Sequence, residues 1–106
     1  MKLEISADML ERIHAHGEKS YPEEGAGFLL GRAEDEADKL GLDVIGVFHS
    51  HPDHPNQPSE FDREWAMPWF SYIITSVDDG KAMASRSWRL GDDRSKFEEE
   101  IIHVND

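Results

Sequence analysis

His49 and His51 stand two residues apart in Gly46-Val47-Phe48-His49-Ser50-His51-Pro52, and Asp62 follows eleven residues after the second of them, in Pro58-Ser59-Glu60-Phe61-Asp62. Side chains alternate along an extended segment, so two histidines at this spacing project to the same side, and a later carboxylate can close a site beside them. Two imidazole nitrogens and one carboxylate oxygen suit a divalent zinc. Three protein ligands leave its fourth tetrahedral position open, the arrangement of catalytic rather than structural zinc. The same residues admit a plainer reading, in which two surface histidines end a strand and Asp62 caps a helix.

His-Ser-His-Pro followed by Pro-Ser-x-x-Asp, with a glutamate upstream, resembles the JAMM motif of the MPN (Mov34/PAD-1) metallopeptidases. Pro22-Glu23-Glu24-Gly25-Ala26-Gly27-Phe28-Leu29-Leu30-Gly31 is similar to the first strand of their bacterial and archaeal members, and Ser71-Tyr72-Ile73-Ile74-Thr75-Ser76-Val77 to the strand after the motif. The resemblance implies that His49, His51 and Asp62 hold Zn2+. It also implies that Glu24, rather than Glu23, moves the proton of the attacking water, and that the Ser59 hydroxyl supports the substrate carbonyl. The implied reaction is peptide or isopeptide hydrolysis, after the C-terminal Gly-Gly tail of a ubiquitin-like or sulfur-carrier protein. Two other readings compete: a catalytically inactive MPN scaffold that binds protein partners, and a zinc deaminase, which would call for a Pro-Cys-x-x-Cys pair.

The chain has no cysteine. Disulfides, thiolate zinc clusters and cysteine nucleophiles are therefore excluded, and a metal site must be built from histidine and carboxylate. With 11 Lys+Arg against 23 Asp+Glu the formal charge is -12. That field disfavours nucleic acid and anionic membrane and suits a basic partner. At 106 residues we expect one domain over 1–106. No signal-like h-region or membrane-length apolar run is present, so a soluble cytoplasmic protein is expected. Its oligomeric state is not legible.

The elements that must position the site follow from local patterning. Leu3 and Ile5 alternate with polar neighbours, and Ser6 is placed to cap a helix running to about Ser20. His14 and His16 on it read as solvated or face-edge residues. Gly25–Gly31 reads as a buried strand, Ala33–Leu40 as a helix, and Leu42–His49 as a strand buried on both faces that delivers the histidines to the sheet edge. The helix at Ala33 has no cap, and a segment of the family pattern has no counterpart between Arg32 and Ala33, so a missing segment is suspected there. The proline-rich loop from Pro52 leads to a helix capped by Ser59 and closed by Pro68. Ser71–Val77 and Ala82–Leu90 form a hairpin around Asp78-Asp79-Gly80. Phe97–Val104 is an acidic edge strand or short helix. Trp65, Met67, Trp69 and Phe70 read as core or groove lining, and Gly25 and Gly27 as places where a tail could approach. Together these predict an α/β (α+β) fold, a mixed sheet flanked by helices as in the MPN fold and the related cytidine-deaminase-like architecture.

Overall fold

Ser6 ends β1 (Lys2–Ser6) and accepts the Met9 N–H at 3.0 Å, which starts α1 (Ala7–Ser20) with Asp8 in its first turn. An acidic residue there meets the positive end of the helix dipole. The computed structural model describes residues 2–31, 43–68, 70–92 and 94–105, with backbone alone at Asp43, Phe61 and Trp65. The predicted helix over 33–40 and the suspected break between Arg32 and Ala33 lie outside the described residues.

The remaining elements are β2 (Ala26–Gly31), β3 (Asp43–Pro52), α2 (Glu60–Trp65), β4 (Ser71–Asp78), β5 (Lys81–Leu90) and β6 (Phe97–Asn105). They form a six-stranded mixed sheet in the order β1-β6-β5-β4-β3-β2, with β1 parallel to β6, β3 parallel to β4, and the other neighbours antiparallel. The hairpin β4–β5 turns at Asp79 and Gly80, both at positive φ (50° and 84°), the backbone a two-residue hairpin demands. Helix α1 packs across the sheet and buries Ile13 and Gly17. Leu3, Ile5, Ile13, Leu29 and Ile73 form the core, with Ile45, Phe48 and Ile102 against it. Full burial of each such side chain contributes roughly 1.5–3 kcal/mol. Between β3 and β4 the backbones meet so closely that a Cβ on Gly46 would collide with the Ser71 carbonyl.

Several local expectations give way to the sheet order. Among the described residues the strand β2 is an edge rather than a buried strand, with Phe28 72% and Leu30 64% exposed. The acidic C-terminal segment is a strand, but an interior one between β1 and β5, because parallel pairing with β1 occupies its far side. A buried carboxylate fixes its register: Glu100 accepts from the Ser87 hydroxyl at 2.6 Å and lies 2.7 Å from Arg89 Nε. Strand β3 leaves Val44 exposed and continues through Pro52, so the histidines sit inside a paired strand instead of at the sheet edge. Helix α2 ends at Trp65, before Pro68. Among the described residues no helix is long and apolar enough to cross a membrane.

Candidate metal centre

Within β3, His49 lies opposite Ile74 of β4 and Ala26 of β2, and His51 opposite Ser76. Their rings are 4.9 Å apart between centroids, as spacing by two along a strand requires. Between them Ser50 turns the other way, against Gly17 of α1. Its hydroxyl accepts the Gly25 N–H at 2.8 Å and its own N–H donates to the Gly25 carbonyl at 2.9 Å. This pair of bonds lays the Glu24-Gly25 segment beside the histidines. Glu24 Oε1 comes within 3.6 Å of His49 Nδ1, and the ligand atoms of Glu24, His49 and His51 all lie within 4.8 Å of one another.

Asp62 reaches this group through His51. Its Oδ2 is 3.5 Å from His51 Nε2, and the same oxygen accepts the Ser59 N–H at 2.8 Å while Ser59 Oγ accepts the Asp62 N–H at 3.0 Å. Asp62 thus completes a capping box at the start of α2 and faces His51, while the cluster of ligand atoms itself is made by Glu24, His49 and His51.

The far ring nitrogen of His51, Nδ1, lies 2.9 Å from the Pro55 carbonyl. A carbonyl can only accept, so Nδ1 carries a proton, and in the neutral ring Nε2 then presents a lone pair toward the Asp62 carboxylate. Two acceptors face one another stably only with a proton or a cation between them. The Pro55 carbonyl is thus what orients the ring. The loop is held further by Asn56, which donates to the Ala84 carbonyl at 2.9 Å and accepts from Trp88 Nε1 at 3.1 Å through its own carbonyl.

Electrostatics divide the three groups. Burial dominates at His49, whose side chain is 11% exposed, and pushes its pKa down despite the neighbouring carboxylates. A neutral imidazole is the form that binds metal. At His51 burial acts in the same direction, but it is outweighed by the hydrogen bonds to Asp62 and Pro55, which raise the pKa. Burial would raise Asp62, yet His51 and the Ser59 N–H and hydroxyl hold it down to about 2. The carboxylate is therefore ionised at neutral pH. With one neutral imidazole, one oriented imidazole and an ionised carboxylate, this donor set fits zinc.

The family model described as prokaryotic homologs of the JAB domain matches residues 32–91, which include His49, His51, Ser59 and Asp62. The chain belongs to this family. Glu24 lies outside the matched stretch. Among solved structures, the JAB fold of this chain is similar to that of a protein from Salinibacter ruber, at 37% identity and a TM-score of 0.77 over 98% of this chain and 92% of the other. It is similar also to a JAB1/MPN domain protein from Archaeoglobus fulgidus, at 26% identity and a TM-score of 0.76 over 98% and 97%. A structure named "JAMM: A Metalloprotease-like Zinc Site in the Proteasome and Signalosome" shares the fold at 24% identity, with a TM-score of 0.72 over the whole of both chains. No match was found among curated proteins.

Other sequence candidates are placed as follows. His54 is an exposed loop residue. His14 is a half-buried residue at the edge of the helix face, with Nε2 2.8 Å from Ser85 Oγ. His16 is exposed and meets the edge of Phe48. The space beside Gly25 is filled by Ser20 Oγ and His16, and that beside Gly27 by the Phe48 ring, so these glycines serve internal packing. Phe70 stacks on Tyr72, Met67 is exposed, and Trp69 and the Trp65 side chain lie outside the described residues.

Proposed function

We propose that this JAB-domain protein is a zinc-dependent hydrolase of amide bonds that follow the C-terminal Gly-Gly tail of a ubiquitin-like or sulfur-carrier protein. The observation that carries the reading is the convergence of Glu24, His49 and His51 within 4.8 Å, with Asp62 3.5 Å from His51. His49, His51 and Asp62 would hold Zn2+, which when bound supplies a Lewis acid that lowers the pKa of water and polarises a carbonyl. Glu24, 63% exposed at the rim, is the base that takes a proton from the attacking water and returns it to the leaving amine. Ser59 Oγ accepts the Asp62 N–H, and its hydroxyl hydrogen, which helps hold the Asp62 carboxylate down in the metal-free protein, would turn to a developing oxyanion.

The tail specificity is supported by the edge strand β2. It leads away from Glu24 and presents Phe28 and Leu30 at alternate, exposed positions, a surface on which an extended tail could add as a further strand. Glycines in such a tail pass where side chains would clash. The charge of -12 suits a basic carrier rather than nucleic acid or an anionic membrane, and one domain acting in the cytoplasm belongs to the same proposal.

Zinc-loaded protein should be presented with matched carrier conjugates ending in Gly-Gly or Ala-Ala before the scissile bond. Cleavage confined to Gly-Gly is expected. Equal cleavage of both sinks the tail specificity, and zinc binding without hydrolysis of any conjugate supports the scaffold reading instead.

A further inference from the structure

Helix α2 is six residues long, too short to be stable by itself, and its last carbonyls have no partner within the helix. They are met by one side chain from the β5–β6 turn. Arg94 Nη1 donates to the Ala66 carbonyl at 2.6 Å, and Nη2 donates to those of Arg63 at 3.0 Å and Glu64 at 2.9 Å. Arg63 Nη1 donates in return to the Arg94 carbonyl at 3.0 Å. A cation at this helix end also meets the negative end of the dipole, and the guanidinium fork reaches three oxygens at once. Arg94 does this from φ 59°, a backbone region that favours glycine, so its side chain has to justify the position.

The latch bears on Asp62 because that residue's carboxylate is divided. Oδ2 closes the capping box on the Ser59 N–H and also faces His51. When the carboxylate turns to a cation, the box at the start of α2 weakens, and the helix then depends on what holds its other end. We infer that Arg94 is a positioning residue for Asp62, fixing α2 from its C-terminal end so that the carboxylate is held toward His49 and His51. This inference rests on the zinc reading above.

The test compares full-length wild type with Arg94→Gly, which removes the guanidinium without straining the backbone, and with Arg94→Lys, which restores a single cationic donor. Arg86→Ala serves as control, since it removes a surface guanidinium that pairs with Glu99 and lies over the Trp88 ring without bonding to any described residue of α2. Zinc affinity is measured by competition with a chelator, and backbone order of residues 60–66 by NMR relaxation in the metal-free protein. In Arg94→Gly zinc affinity should fall about tenfold, the size of loss typical of outer-shell partners. Order parameters in α2 should fall from the rigid range near about 0.85 toward about 0.6. Arg94→Lys should recover part of both, and Arg86→Ala should change neither. Unchanged order in α2, zinc affinity of Arg94→Gly within twofold of wild type, or an equal loss in Arg86→Ala overturns the inference. A wild type that binds no zinc overturns the zinc reading itself, and is recognised before any substitution is made.

Discussion

Ser50 and Gly25 hold each other by two reciprocal bonds, the Gly25 N–H donating to the Ser50 hydroxyl at 2.8 Å and the Ser50 N–H to the Gly25 carbonyl at 2.9 Å, in a buried place between the histidine strand and the segment that bears Glu24. Ser50→Ala keeps the shape but leaves the buried Gly25 N–H without its acceptor. Such a loss costs about 1–3 kcal/mol. Urea unfolding should show a lowered midpoint, and hydrolysis should fall more than zinc affinity because Glu24 is the group set loose. An unchanged midpoint would mean that water replaces the hydroxyl.

His49→Ala and Asp62→Ala should each lose zinc, since a three-ligand site has no protein ligand to spare. The capping box gives Asp62 a second role that Asp62→Asn separates. The amide can still accept the Ser59 N–H, so this variant should lose zinc and keep the cap, its metal-free form forfeiting only what the carboxylate charge contributes. Asp62→Ala should also forfeit the cap, about 0.5–2 kcal/mol. Metal analysis and thermal unfolding of the metal-free proteins distinguish them. Equal stability of the two variants would deny the capping contribution.

Glu24→Gln should keep zinc and lose about 10²–10⁴ in rate, as removal of a general acid-base group does. Because Glu24 lies among the clustered ligand atoms, metal content is the informative control. Loss of zinc in this variant would make Glu24 a ligand; full zinc with activity within about threefold of wild type would remove it from proton transfer.

In the metal-free protein Asp62 is held at about 2 against an ordinary 3.8. A carboxylate depressed on folding contributes stability that is present above its unfolded value and lost as pH falls through its folded one. The stability difference between wild type and Asp62→Asn should therefore shrink as pH is lowered from about 4 toward about 2. His51, raised on folding, contributes stability present below its ordinary 6.5 and lost as pH rises through its raised value, while buried His49 is lowered and opposes folding as pH falls below 6.5. Denaturant titrations across this range check the slope. A constant difference between wild type and Asp62→Asn in the acid range would show that Asp62 does not gain its partners on folding.

What the sequence made legible was local chemistry. The spacing of His49 and His51, the Ser6 and Ser59 caps and the Asp79-Gly80 turn all depend on residues a few positions apart, and all are present in the structure. What it hid depends on neighbours distant in sequence. The apolar run around Phe28 and Leu30 looks interior because periodicity cannot say whether a strand has one neighbour or two. Phe97–Val104 reads as an edge strand or short helix because its charges mask pairing on both sides. Arg94 sits in what reads as an ordinary loop, yet it grips a helix some thirty residues earlier. Only the fold brings these pairs together.

The pairing of β1 with β6 joins Lys2 to Ile101, nearly the whole chain apart. Closing so long a loop costs entropy before any contact repays it, and topologies rich in such pairings fold slowly. The β4–β5 hairpin, by contrast, can form within microseconds around its tight turn. Folding should therefore begin in the middle of the chain and finish at its ends. Until β6 arrives, Leu3 and Ile5 lack the strand that brings Ile102 against them, and the far half of the core is the last to become dry.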